Sequence, residues 1–356
     1  MEDALKAAML LLALVSPPAG EQPDSKAARV DALFASYNLP GVPGASVIVI
    51  RDGKPLYKRA YGLADVEARV AATPSTNYRL ASVTKQFTAM AIMILASRKR
   101  LSFDDPLTRF FPHYPPYGKD ITVRHLLTHT SGLRAYEDLI PPDRTAQLKD
   151  ADVLDLLQRQ TSTYFPPGSE WRYSNTGYAH LALIVEKASG VPFAAFLKKN
   201  VFDPLHMAGT VAYEEGVSAV RHRAYGYTAR AEGFERTDQS LTSAVLGDGG
   251  IYSSVEDLFQ WDQSLYTSRL VSQDLLQQAF APATLSGGKA TSYGFGWEIG
   301  EYRGLKTVRH EGSTIGFRTQ IFRIPERRFC VIVLINRNGA DPGKLAEQIT
   351  DVYLYN

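Results

Sequence analysis

Tyr78-Arg79-Leu80-Ala81-Ser82-Val83-Thr84-Lys85-Gln86-Phe87 opens a helix, and the chain on either side is read outward from it. After Lys85 the apolar residues fall at Phe87, Met90, Ala91, Ile94 and Leu95, the spacing of a buried helical stripe. The basic cluster Arg98-Lys99-Arg100 suits the C-terminal end of that helix. Ser82 then sits in the first turn, beside unpaired backbone N–H groups and the positive end of the helix dipole. Lys85 lies one turn further on, so its amine can reach the same face as the Ser82 hydroxyl. A serine hydroxyl attacks well only when a base takes its proton. A lysine can be that base when burial or neighbouring cations keep it partly neutral. The plain alternative for Ser82 is a helix cap.

The same spacing recurs at Ser286-Gly287-Gly288-Lys289, but two glycines and the lack of an apolar period after it predict a loop. The 39 basic and 37 acidic residues are interspersed and leave a net charge of only +2, which gives no nucleic-acid footprint. The single cysteine, Cys330, lies in an apolar strand pattern and can form no internal disulfide. His125 and His129 are four apart, but two histidines without a third ligand make no metal site, and no cofactor is implied.

Near the N-terminus, the apolar run Ala7–Val15 and the small residues after it read as a signal peptide over residues 1–20. The run is too short for a stable membrane anchor. It implies a periplasmic or secreted protein. Glu2 and Asp3 depart from the usual basic start, and without such a signal the chain is cytoplasmic. Residues 26–39 predict an amphipathic helix. The runs Gly44–Ile50 and Leu56–Gly62 flank Asp52-Gly53 and predict a β-hairpin. Residues 101–288 alternate helical patterns with proline-rich loops, including 123–133, 150–160, 177–188 and a capping box at Ser253–Glu256. Strands return at 294–299, 305–310, 317–324 and 328–335, before a last helix over 343–355. The expected fold is α+β: an antiparallel sheet built from both ends of the chain, residues 27–100 and 289–356, with flanking helices and an inserted, mostly helical lobe over 101–288.

A hydrolase using Ser82 needs a second proton-handling group, a partner for the Ser82 N–H in an oxyanion hole, and groups that orient substrate. Tyr173-Ser174-Asn175 is the one Tyr-x-Asn in the chain. A cationic lysine nearby would favour the phenolate of Tyr173, which could then relay protons. Asn175 can cap the helix that follows or offer its amide to substrate. His310-Glu311-Gly312-Ser313 ends a predicted strand. Gly312 would let a substrate backbone approach the edge, and the Ser313 N–H is the natural second oxyanion donor.

Ser-x-x-Lys, Tyr-x-Asn and His-x-Gly in this order resemble the serine β-lactamase and penicillin-binding-protein superfamily. The closer likeness is to its class C-like branch of class C β-lactamases, D-aminopeptidases, D-alanyl-D-alanine carboxypeptidases and family VIII esterases. His125–Leu133 and Gly249–Ser254 look like that branch too, and the resemblance spans residues 27–355. It implies a β-lactamase-like fold and an acyl-enzyme on Ser82. Lys85 and Tyr173 would share general-base work, with Asn175 and His310 lining the cleft. The expected substrates are small esters, amides or D-amino-acid peptides. Class C β-lactamases carry Lys-Thr-Gly where this chain has His310-Glu311-Gly312. That change weakens the site for a β-lactam carboxylate unless Arg309 or Arg318 substitutes, and it favours ester or peptide hydrolysis. A D-amino-acid peptidase, a β-lactamase, and a non-catalytic homologue that binds peptidoglycan or self-assembles remain the alternatives. Oligomeric state is not legible.

Overall fold

The computed structural model describes residues 25–355. The segment read as a signal peptide lies outside the described residues. Helix α1 (Ser25–Leu33) leads through a 3₁₀ turn to strand β1 (Ala45–Arg51), which pairs with β2 (Lys54–Tyr61). Asp52 and Gly53 both take left-handed φ values, 51° and 76°, as the predicted tight hairpin turn demands. Helix α2 (Lys85–Ser97) follows, then a long helical region that includes α3 (Asn175–Ser189). Strands β3 (Glu298–Tyr302), β4 (Leu305–Thr314), β5 (Phe317–Ile324) and β6 (Phe329–Ile335) precede α4 (Pro342–Leu354).

One six-stranded antiparallel sheet, in the order β3-β4-β5-β6-β1-β2, joins the two ends of the chain. Its two faces follow from the alternation of side chains along a strand. Val47, Val49, Phe322, Val331 and Val333 pack against Val30 and Phe34 and against Ala346 and Ile349 of α4. Ile48, Ile50, Ile321, Ile332 and Leu334 lie on the face covered by the helix Val255–Ser264 and share one core with α2 and the helical region. Strands β1 and β6 are therefore covered on both sides, which is why they read as almost unbroken apolar runs. Each such side chain contributes about 1.5–3 kcal/mol through burial.

Several predicted boundaries move, each for a local reason. Residues 294–297 do not begin a strand. Gly296, at φ 76°, brings this loop against α2, where a Cβ would stand 2.7 Å from the Lys85 carbonyl oxygen. Strand β4 does not stop at His310 but runs through it to Thr314, and His310 is buried rather than at a strand end. The helix expected over 123–133 ends at Leu127, and His129 takes φ 60° in the loop beyond, so His125 and His129 do not share a helix face. The helix at Val255–Ser264 is capped by Ser254 alone, whose side chain accepts from the Asp257 N–H. Ser286–Lys289 is a loop. Among the described residues no single helix is long and apolar enough to cross a membrane.

Candidate active site

Ser82 stands at the end of a clamped segment. The Leu80 N–H donates to Ile251 O at 2.8 Å, and the Leu80 carbonyl accepts from Thr319 Oγ1 at 2.8 Å. Between these bonds and Ser82, Ala81 is held at φ 49°, a left-handed conformation that costs a non-glycine residue energy. A 3₁₀ turn, Ala81–Thr84, then runs straight into α2. Ser82 caps neither helix; its Oγ accepts from Lys85 Nζ at 3.1 Å instead.

Lys85 is fully buried. Its Nζ also donates to Asn175 Oδ1 at 2.8 Å and to the Asp248 carbonyl at 2.9 Å. The rings of Tyr173 and Tyr178 flank it at 5.0 and 5.5 Å. Burial pulls its pKa down to about 8, opposed by the nearby carboxylates of Asp248 and Glu137. As a neutral amine, Lys85 can keep its two N–H bonds to Asn175 and Asp248 and turn its lone pair to the Ser82 hydroxyl. If that form is the working base, kcat/KM should fall with pH below about 8 and level off above it. Asp248→Asn and Glu137→Gln each remove a charge that holds the proton on Lys85, so each should move this limb to lower pH. A pH–rate profile of kcat/KM checks both directions, and an upward move in either variant would contradict the assignment.

Tyr173 reaches the Ser82 side chain with its hydroxyl, which is enclosed although 37% of the residue's surface is exposed. Burial opposes the phenolate expected beside a cationic lysine. Burial pushes the Tyr173 pKa well above 10, only partly offset by its bond to Ser82, so Tyr173 is a phenol that can donate and relay a proton.

Asn175 is the first residue of α3, and Ser174 rather than Asn175 caps it. The Asn175 amide bridges instead, accepting from Lys85 and donating from Nδ2 to Glu137 Oε1 at 2.7 Å. His310 Nδ1 donates to the Glu311 carbonyl at 2.6 Å, which leaves Nε2 to accept from Tyr293 Oη at 2.7 Å. Burial, with Lys85 nearby, pushes its pKa down to about 3, so it is a neutral imidazole. Gly312 has a different task from the one its motif suggested. A Cβ there would lie 2.2 Å from the Leu80 carbonyl oxygen and 2.2 Å from Thr319 Oγ1. Glycine lets the protein's own Ser82-bearing segment, rather than a substrate, lie against β4. Ser313 lines the same cleft as Ser82, Asn175, Glu137 and Asp248. Because β3 pairs with β4 only as far as Arg309, residues 310–314 have a strand on one side only.

Arg309 does not stand in for the missing lysine, whereas Arg318 lies against Thr314 at the cleft. Arg309 pairs with Glu298 at 3.5 Å and with Glu347 of α4 at 3.3 Å, on the sheet face away from His310. Arg318 Nη1 donates to the Thr314 and Phe317 carbonyls, each at 2.7 Å. Sequence reasoning passed over Glu137, Asp248, Tyr293 and the structural part played by His129. Asp248 and His129 adjoin or lie within the stretches that look like the class C-like branch, whereas nothing local marks Glu137 or Tyr293. Among the described residues no group of three His, Cys, Asp or Glu side chains is placed to hold a metal ion.

An antiparallel sheet covered by helices, with a serine and a buried lysine one turn apart beneath it, is a β-lactamase-like α+β fold. The profile of the Beta-lactamase family matches residues 30–354. Penicillin-binding protein 4* of Bacillus subtilis (strain 168) is 33% identical over 329 residues, covering 88% of this chain and 72% of that protein. Protein flp of Staphylococcus aureus (strain MRSA252) is 28% identical over 320 residues, covering 86% of this chain but only 62% of its own length. Among solved structures, the octameric penicillin-binding protein homologue from Pyrococcus abyssi is 30% identical with a TM-score of 0.79, covering 92% of this chain and 77% of that one. The D-amino acid amidase from Ochrobactrum anthropi SV3 also gives a TM-score of 0.79, covering 92% and 98%; at 22% identity it bears on the fold alone. The chain belongs to the Beta-lactamase family of serine hydrolases.

Proposed function

We propose that this protein hydrolyses carboxylic esters or small amides through an acyl-enzyme on Ser82. The observation that carries this reading is the fully buried Lys85 amine, 3.1 Å from Ser82 Oγ and with its pKa lowered toward neutrality. Lys85 takes the Ser82 proton as Oγ attacks the carbonyl carbon. The negative charge forming on the carbonyl oxygen is met by the N–H groups of Ser82 and Ser313. The tetrahedral adduct then collapses, the leaving group departs with a proton passed through Tyr173, and the acyl group stays on Ser82. Water, deprotonated by the same base, releases the acid and restores the hydroxyl.

The neutral, hydrogen-bonded His310 supports esters over β-lactams. It offers no cation to a substrate carboxylate, and Arg309 is paired with Glu298 and Glu347. A second reading, an amide or peptide of a D-amino acid, is favoured by Glu137 and Asp248 beside Ser82, where an ammonium group could be met by carboxylates. The test is incubation with a fluorophosphonate followed by peptide mapping, together with a panel of p-nitrophenyl esters, D-amino-acid amides and nitrocefin. One adduct on Ser82 is expected. The value of kcat/KM on p-nitrophenyl acetate or butyrate should exceed that on nitrocefin by about tenfold or more. An adduct on Ser131 or Ser286, or nitrocefin turning over faster than every ester and amide, would overturn the proposal.

A further inference from the structure

The stretch His125–Leu133 has no part in the chemistry above, yet it templates the loop that carries Tyr173. Three main-chain bonds tie the two segments together. Tyr164 N–H donates to Gly132 O at 2.7 Å, Gly168 N–H to Thr130 O at 2.8 Å, and Arg172 N–H to His129 O at 3.0 Å. A side chain makes the next rung: the Ser174 N–H donates to His129 Nδ1 at 3.1 Å. His129 thus holds the backbone on both sides of Tyr173, and its ring packs on the Tyr173 ring with centroids 4.3 Å apart. We propose that His129 is the positioning residue of this site, its Nδ1 and carbonyl setting the Arg172–Ser174 turn so that the Tyr173 hydroxyl meets Ser82 and the Asn175 amide meets Lys85. This rests on the reading of Ser82 as the acylated nucleophile.

Two features set this apart from simple filling of space. Because Nδ1 accepts, the neutral ring carries its hydrogen on Nε2, and that buried atom has no hydrogen-bond partner among the described residues. A phenylalanine would fill the same aromatic surroundings of Trp171, Tyr178 and Tyr293 without burying an unpaired donor. The acceptor is thus what histidine supplies here and phenylalanine lacks. Its environment also keeps that acceptor free. Burial, with Lys85 and His310 nearby, holds the His129 pKa well below its ordinary value, so no proton competes for Nδ1.

His129→Phe and His129→Asn separate ring from acceptor. Phenylalanine keeps the ring and loses the acceptor. Asparagine loses the ring but can place an amide oxygen at the δ position, and it tolerates the φ of 60° found there. On p-nitrophenyl butyrate, His129→Phe should lower kcat by about 30-fold or more with KM changed by less than about threefold, as expected when a catalytic group is misplaced but the cleft survives. The rate of fluorophosphonate labelling should fall in parallel. His129→Asn should stay within about fivefold of wild-type kcat, although it removes more packing. Should the phenylalanine variant not fold, His129→Gln, which carries its acceptor one bond further out, takes its place with the same expectation. Wild-type kcat in the variant without a δ acceptor, or an asparagine variant as impaired as that one, would overturn the positioning role while wild-type labelling at Ser82 stands. Absence of labelling in the wild type would instead remove the reading on which it rests.

Discussion

Ser82→Ala and Lys85→Ala should each lower kcat/KM on p-nitrophenyl butyrate by about 10⁴-fold or more, and the double variant should lose little beyond either single one. The reason is that the two groups form one device. Without the Ser82 hydroxyl there is nothing to acylate. Without the Lys85 amine, a hydroxyl of ordinary acidity faces only the neutral phenol of Tyr173, which burial holds too weakly acidic to serve as a base at neutral pH. Tyr173→Phe should cost less, about 10²-fold, because it removes a proton relay and leaves nucleophile and base in place. Combining Tyr173→Phe with Lys85→Ala should then cost much less than the product of the two losses. Steady-state kinetics on purified variants, with intact-mass analysis after phosphonate treatment, checks all of these. A Lys85→Ala enzyme within about tenfold of wild type would remove lysine from the mechanism. Fully multiplicative losses for Lys85 and Tyr173 would show that they act separately.

The parts of this molecule that were legible in its sequence are those written in short-range patterns. The stripe from Phe87 to Leu95, the Asp52-Gly53 turn and the apolar runs of β1 and β6 each encode their element locally. The joining of the N- and C-terminal strands into one sheet could be expected because strand patterns stand at both ends of the chain with a helical insert between them. Boundaries failed where a long-range contact overrode the local pattern. Gly294–Trp297 has the look of a strand, but Gly296 is needed where the loop meets the Lys85 carbonyl, and a strand cannot make that approach. Strand β4 outruns its apolar pattern because β5 pairs with it through Thr314.

The site divides in the same way. Ser82 and Lys85 are one turn apart, so their meeting follows from helix geometry alone. Glu137, Asn175 and Asp248 arrive from three separate segments to surround Lys85, and no spacing along the chain announces that. The ionisation of Tyr173 was misread for a related reason. A neighbouring cation can be guessed from a motif, but the extent of burial cannot, and burial raises the phenol's pKa further than its bond to Ser82 lowers it. For Gly312 the sequence indicated a close approach correctly and its partner wrongly, since the approaching group is Leu80 of the same chain.

Asp262→Ala should destabilise the protein by about 3–5 kcal/mol, the cost of leaving a buried charge without its partner. Asp262, in the helix Val255–Ser264, accepts from Arg323 Nε of β5 at 2.6 Å, and both side chains are closed to solvent. The two Nη atoms of Arg323 have no hydrogen-bond partner among the described residues; the rings of Tyr266, Phe280 and Trp297 lie 4.9–5.7 Å from the guanidinium carbon. Aromatic faces soften the burial of a cation but cannot replace an anion. Removing the carboxylate thus strands a guanidinium that cannot deprotonate. Replacing both partners with apolar residues, as in Asp262→Leu with Arg323→Met, should recover most of the loss, because the desolvation penalty disappears with the charges. The same helix is tied to α2 through Trp261, whose Nε1 donates to Gln86 Oε1 at 2.9 Å. The helix carrying Asp262 therefore braces α2 against the sheet. Below its own unfolding transition, Asp262→Ala should keep kcat on p-nitrophenyl butyrate within about fivefold of wild type, while its denaturation midpoint drops sharply. Urea unfolding of the single and double variants, followed alongside activity, is the measurement. A single variant that loses less than about 1 kcal/mol, or a double variant no better than the single, would show that the pair does not brace this side of the core.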